Sequence, residues 1–300
     1  MDKQAHSVLD TLDALAPETT PDADDAAWLA AFRYQTALLR GFGGAPEPMA
    51  AITLDTLGGV PVRVFRPGPA DGRLLFHIHG GGGIAGSLDG HDPMLRLLAA
   101  RTGWTVMAPD YRLAPEHRFP AQLDDCHAAL LAAQAQVPAR RIVVSGDSIG
   151  ATLATALAMR VRDSGGSMLA GQLLFYPNTD LRRGADYPSR RSEDGRIIAR
   201  DDLERQIALY VGSPADRDDP AASPLLADRL ADLPPTLIAT CENDPLRDEG
   251  ELYARRLREA GVAVEHHRVP GMIHAFLQMA GAIDAAPAFL AVVKRWLDDR

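Results

Sequence analysis

The sequence predicts an α/β domain, an eight-stranded and mostly parallel sheet with helices on both faces. Three observations predict it. Apolar runs of strand length alternate with helical segments along most of the 300 residues. The runs are nearly continuous in apolar residues, as strands covered on both faces are. Hydrophobic residues make up 46% of the chain and charged residues 24%, a balance that fits a globular chain with a large core.

The elements follow in order. Between Asp22 and Gly41, apolar residues such as Trp28, Leu29, Phe32, Leu38 and Leu39 recur three and four apart, the spacing of an amphipathic helix. AITLDTL and VPVRVF, split by Gly58-Gly59, read as a β-hairpin. Six further strand runs come next: RLLFHIH, WTVMAPD, RIVVSGD, GQLLFYP, TLIATCE and VAVEHHRV. Helical segments separate them at Pro93–Thr102, Ala121–Ala135, Ile149–Arg162, Asp201–Tyr210 and Arg247–Ala260, with a last helix near Pro287–Leu297. Two stretches stand outside this rhythm, residues 1–45 and 179–231. A structureless loop as long as the second is unusual in a compact domain, so it predicts an inserted lid. The division is then a core of 46–178 and 232–300, with 1–45 and 179–231 outside it.

Net charge is −9, which gives no electrostatic footprint for nucleic acid. Cys126 and Cys241 are too few for a disulfide framework or a cysteine metal site. The N-terminal residues mix charges with apolar positions and lack the core of a signal peptide. No run reaches the roughly 20 apolar residues that cross a bilayer. A cytoplasmic protein without a membrane partner is the expectation.

The chemistry is carried by two glycine motifs. Gly146-Asp147-Ser148-Ile149-Gly150 lies where a strand turns into a helix. That context makes Ser148 a candidate nucleophile on a sharp turn, with small residues two before and two after it. A serine hydroxyl needs a base. In the chain order nucleophile, acid, base, Asp244 is the favoured acid because it lies in the loop after TLIATCE, with Asp248 second. His274, in the loop after the last strand, is the base; His266 and His267 lie within that strand.

The second motif is HIHGGGGIAGS at 77–87. A phosphate-binding loop would need Gly-Lys-Ser/Thr after the glycines, and none is present. Gly81, Gly83 and Gly86 match a dinucleotide fingerprint, with Asp110 placed for a ribose. The next helix, however, starts near Pro93, too late to aim its N-terminus at a pyrophosphate. The remaining reading is an oxyanion hole. Gly81 and Gly82 donate backbone N–H groups unobstructed by side chains, and Ile149, after the serine, gives a third.

HGGG, DYRLAPEHRFPA at 110–121, GDSIG, DPLRDEG at 244–250 and GMIHAF at 271–276 together resemble the hormone-sensitive-lipase-like branch of the α/β-hydrolases. The resemblance runs from about Leu74 to the C-terminus. It implies an α/β-hydrolase fold with a helical cap made from the N-terminal helices and the 179–231 insertion. It also implies a serine carboxylesterase acting on short- to medium-chain esters through an acyl-enzyme on Ser148, with no metal or other cofactor, and a homodimer. In this family the nucleophile falls on Ser148, the acid on Asp244, the base on His274 and the oxyanion donors on Gly81, Gly82 and Ile149. His79 supports the glycine loop, and Asp110, Arg112 and Glu116 are read as a polar brace for the next loop. Trp28, Phe32 and Phe42 are candidates for the substrate wall, with plain helix packing as the alternative. Amidase or deacetylase activity would use the same machinery, and a non-catalytic ligand receptor on the fold is the reading from another class.

Two departures stand out. The family usually has an aromatic residue where this chain has Gly83, and alanine where it has Ile149. Both are expected to alter the acyl pocket, Ile149 narrowing it and Gly83 opening the wall opposite.

Overall fold

The computed structural model describes residues 1–17, 23–69 and 71–300. Its helices are α1 (Lys3–Leu15), α2 (Asp25–Leu38), α3 (Asp92–Thr102), α4 (Ala121–Gln134), α5 (Ile149–Asp163), α6 (Pro188–Ser192), α7 (Arg200–Tyr210), α8 (Arg247–Glu259) and α9 (Ala285–Asp298). Its strands are β1 (Ala51–Leu57), β2 (Val60–Arg66), β3 (Leu74–Ile78), β4 (Thr105–Pro109), β5 (Ile142–Asp147), β6 (Gly171–Phe175), β7 (Thr236–Asn243) and β8 (Val264–Ile273). The expected helix start at Asp22 lies outside the described residues. In the described part, α2 opens at Asp25, with the Asp24 carboxylate capping the Ala27 N–H at 2.8 Å.

All eight strands join one sheet in the order β1-β2-β4-β3-β5-β6-β7-β8. The β1–β2 and β2–β4 pairs are antiparallel and the remaining pairs are parallel. Successive residues of a strand point to opposite faces, and the cores follow that rule. Phe76 and Val144 pack with Leu123, Leu157 and Leu257 of α4, α5 and α8 on one face. Leu75 and Val143 pack with Leu95, Val293 and Leu297 of α3 and α9 on the other. In the central strands β3, β5 and β6 every residue is thus buried whichever way it points, which explains their unbroken apolar runs, whereas β1 at the sheet edge is mostly exposed.

A third cluster, Trp28, Leu29, Ile84, Ile149, Leu203, Ile207 and Tyr210, joins α2 and α7 to the start of α5 and the glycine loop. It seats the segments outside the sheet's rhythm over the C-terminal strand ends, where α/β ligand sites lie. The insertion is rooted by a buried ion pair. Arg190 of α6 donates to Glu249 of α8, whose carboxylate also accepts the Thr179 N–H at 2.7 Å. Among the described residues no helix is long and apolar enough to cross a membrane.

Candidate active site

Ser148 sits between β5 and α5 at φ 56° and ψ −124°. That is a strained backbone for a residue with a Cβ. The turn closes so tightly that a Cβ on Gly146 would lie 2.2 Å from the Gly150 carbonyl carbon, and one on Gly150 would lie 2.1 Å from the Ile78 oxygen. The small residues of G-x-S-x-G are therefore a packing requirement. The Ser148 N–H donates to the Phe175 carbonyl at 2.9 Å, which pins the turn to β6.

Two other loops complete a line of hydrogen bonds. His274 Nε2 lies 3.0 Å from Ser148 Oγ, and His274 Nδ1 lies 2.8 Å from Asp244 Oδ2. The other Asp244 oxygen accepts the Leu246 N–H at 2.8 Å, which fixes the carboxylate. The Tyr176 ring stands edge-on to His274, with centroids 4.8 Å apart. Asp244 is fully buried and His274 is 5% exposed. An imidazole held this way can take the serine proton while the carboxylate stabilises the imidazolium. Asp248, the second choice for the acid, instead accepts the Ser189 N–H at 2.8 Å and lies outside this line.

The glycine run turns on positive φ values at Gly81 (111°), Gly82 (65°) and Gly83 (72°), which side chains rarely adopt. The Gly81 carbonyl accepts the Ala85 N–H at 2.9 Å, whereas the Gly81 and Gly82 N–H groups donate to nothing among the described residues. Ile149 opens α5, where the first N–H groups have no acceptor within the helix. Gly81 and Gly82 line the same cavity as Ser148, and Ile149 follows Ser148 directly in the chain.

Behind the loop lies a buried polar cluster that the sequence reading only partly anticipated. The Gly80 N–H donates to Asp147 Oδ1 at 2.9 Å, and Gln278 Nε2 donates to Asp147 Oδ2 at 3.1 Å. His77 lies 2.6 Å from Ser145 Oγ and 3.3 Å from Asp147 Oδ1, and His91 lies 3.5 Å from Asp147 Oδ2. Burial opposes the Asp147 charge, but His91 and His77 hold its carboxyl far below the usual carboxylate range. Ser145, His77 and Asp147 form a second Ser-His-Asp grouping, yet all three are at most 1% exposed and, although Asp147 touches the cavity wall, neither Ser145 nor His77 does, so no substrate reaches Ser145. As expected for a supporting role, His79 contacts the Gly80 carbonyl at 2.8 Å, stacks on Tyr111, and is driven down to about 3 by burial.

A cavity of about 420 Å³ opens over Ser148 and His274. Its wall includes Gly81 and Gly82, His6, Leu9 and Leu12 of α1, Phe32 and Thr36 of α2, residues 195–199, and Asp202 and Gln206 of α7.

Several expectations about the wall need correction. Of the three aromatic candidates only Phe32 lines the cavity. Trp28 stacks on Phe32 and donates to Asp202 at 2.9 Å from behind the wall, and Phe42 packs into the core beside α3 and α9. Gly83 does not open a pocket, because the Tyr210 ring already occupies the space over it. The Ile149 side chain is buried in the cluster with Ile84 and Tyr210, away from the cavity wall. The proposed brace also comes apart. Arg112 pairs with Asp125 at 2.7 Å and Glu116 with Arg33 at 2.7 Å. Arg33, which no motif singled out, donates to the Ile84 and Ala114 carbonyls as well and so ties α2 to the glycine loop.

Residues 75–278 match the family model described as alpha/beta hydrolase fold. The ethyl acetate hydrolase of Pseudomonas putida is 39% identical over 277 residues, 87% of this chain and 86% of that one. Among solved structures, the hyperthermophilic esterase of Pyrobaculum calidifontis superposes with a TM-score of 0.88 at 34% identity, covering 98% of this chain and 97% of that one. A hormone-sensitive lipase from a metagenome library superposes at 0.87 and 32% identity, covering 100% and 99%. With the fold, the motif order and these likenesses in agreement, the chain belongs to the α/β-hydrolase family, in its hormone-sensitive-lipase-like branch.

Proposed function

We propose that this protein is a serine carboxylesterase that hydrolyses short- to medium-chain esters through an acyl-enzyme on Ser148. The observation that carries the reading is the unbroken line Asp244–His274–Ser148, at 2.8 and 3.0 Å, ending in a cavity that Gly81 and Gly82 also line. The relatives named for ethyl acetate and ester hydrolysis support the substrate class.

In this mechanism His274 Nε2 takes the Ser148 proton as Oγ attacks the ester carbonyl. The Gly81, Gly82 and Ile149 N–H groups hold the oxyanion, and each such donor is worth about 3–4 kcal/mol of transition-state stabilisation. His274 then protonates the leaving alkoxide. Water, deprotonated by His274, attacks the acyl-enzyme and releases the acid and free Ser148. Asp244 keeps the imidazole in the tautomer that presents a free Nε2 to the serine. Residues 1–45 and 179–231 act as the cap that encloses the reaction over the 46–178 and 232–300 core.

The test is turnover of a chain-length panel of p-nitrophenyl esters, with fluorophosphonate labelling, by wild type and Ser148→Ala. Hydrolysis that peaks at short to medium chains and disappears with Ser148, together with loss of the label, supports the proposal. Full activity in Ser148→Ala would overturn it, and labelling without turnover of any ester would favour the ligand-receptor reading.

A further inference from the structure

Gln206 is a polar group of the cavity that the proposed mechanism does not use. It is 7% exposed, lines the cavity wall, and its carboxamide makes no hydrogen bond among the described residues. Its polar atoms are not among the buried unsatisfied ones, so the carboxamide faces the cavity free to bond a molecule that enters it. It also sits against the oxyanion glycines: a Cβ built on Gly82 would meet Gln206 Oε1 at 2.8 Å. Asp202, one helical turn earlier on α7, lines the same cavity, so the two form a polar stripe on one helix face.

We propose that Gln206 is a specificity-determining residue whose carboxamide hydrogen-bonds an oxygen on the carbon next to the scissile carbonyl, so that the enzyme favours 2-alkoxy- and 2-hydroxyacyl esters over plain alkanoates. The inference rests on the esterase reading and deepens it. The acyl side is assigned because the leaving alcohol must lie within reach of His274 Nε2, whereas Gln206 lies against Gly82. A carboxamide offers both a donor and an acceptor, so it can serve an ether oxygen or a hydroxyl.

The experiment compares kcat/KM for p-nitrophenyl methoxyacetate and p-nitrophenyl butyrate, which differ by one oxygen in place of one methylene, in wild type and Gln206→Met. Their ratio cancels the fraction of active protein, and the difference in intrinsic reactivity cancels between the two enzymes. The methoxyacetate preference is expected to fall about five- to tenfold in the variant, the range of one neutral hydrogen bond. Gln206→Ala gives the same readout should the methionine variant not fold. A ratio unchanged within about twofold overturns the proposal. So does a variant that shifts only the matched alcohol-side ratio, 2-methoxyethyl acetate against butyl acetate. If wild type hydrolyses none of these esters, the esterase reading itself falls and takes this inference with it.

Discussion

The Tyr210 ring stands where a side chain at residue 83 would otherwise project: a Cβ built on Gly83 would lie 2.4 Å from Tyr210 Cδ2. An aromatic ring is thus delivered to the flank of the glycine loop from α7, and the loop residue is left bare. The Gly83 carbonyl is fixed from the other side by the Ala114 N–H at 2.9 Å.

Gly83→Ala should therefore be costly for two separable reasons. The positive φ alone costs roughly 1–2 kcal/mol for an L-residue, and the clash with Tyr210 adds roughly 1–3 kcal/mol of overpacking. Only the second part depends on Tyr210. A urea-unfolding double-mutant cycle with Tyr210→Ala should show the pair costing less than the sum of the singles. Additivity within about 0.5 kcal/mol would mean that the ring is not the obstacle.

Asp244→Asn should preserve the fold while lowering kcat by about 10⁴-fold, because an amide favours the tautomer that turns a protonated Nε2 toward Ser148. Asp248→Asn should leave kcat within about threefold, since Asp248 bonds the Ser189 N–H and not His274. Steady-state kinetics on one p-nitrophenyl ester decides between the two carboxylates, and equal losses would contradict the assignment.

Acid should weaken the fold through the buried histidines. Burial lowers His79 to about 3 and also lowers His77. The unfolded chain protonates both near the ordinary value of about 6.5. Between those limits the unfolded state binds more protons at residue 79, so stability falls as pH drops from about 6.5 toward 3, by up to about 1.4 kcal/mol per pH unit from His79, with His77 acting in the same direction. Urea midpoints measured from pH 7 to 4 should fall steeply in wild type and less steeply in His79→Asn. Parallel slopes would show that His79 is not the titrating group.

Arg33→Met should loosen the cap helix from the glycine loop. It removes donors from the Ile84 and Ala114 carbonyls along with the pairing to Glu116. Amide hydrogen exchange within 25–38 is expected to speed up about tenfold or more, with β5 unaffected. Unchanged exchange would mean that the apolar contacts around Trp28 and Leu29 hold the helix without Arg33.

The sheet was legible because its central strands are covered on both faces and announce themselves as apolar runs, while the mostly exposed β1 was marked by the Gly58-Gly59 turn that joins it to β2. Ser148, Asp244 and His274 were legible because each sits just past a strand in a fixed chain order, and the structure brings the three within hydrogen-bond reach. The cavity wall was not. Whether Phe32 or Phe42 faces substrate depends on how two segments dock on the sheet, and a helical period places both on apolar faces without saying against what. Gln206 and Arg33 carried no signal at all, because an isolated polar residue on an amphipathic helix reads as surface until its tertiary partners are known. Gly83 misled for a related reason. An absent side chain suggests open space, but the space was filled from 127 residues away in the chain, by Tyr210.

From β5 outward the strand order β5-β6-β7-β8 follows the chain order. A polypeptide emerging from the ribosome therefore lays down Ser148 in the middle of the sheet and adds Asp244 and then His274 toward one rim. A nascent chain released at about residue 260 would carry Ser148 on its turn with no imidazole to activate it. Under the proposed mechanism, reactivity is thus tied to the docking of β8, the last strand of the sheet to emerge.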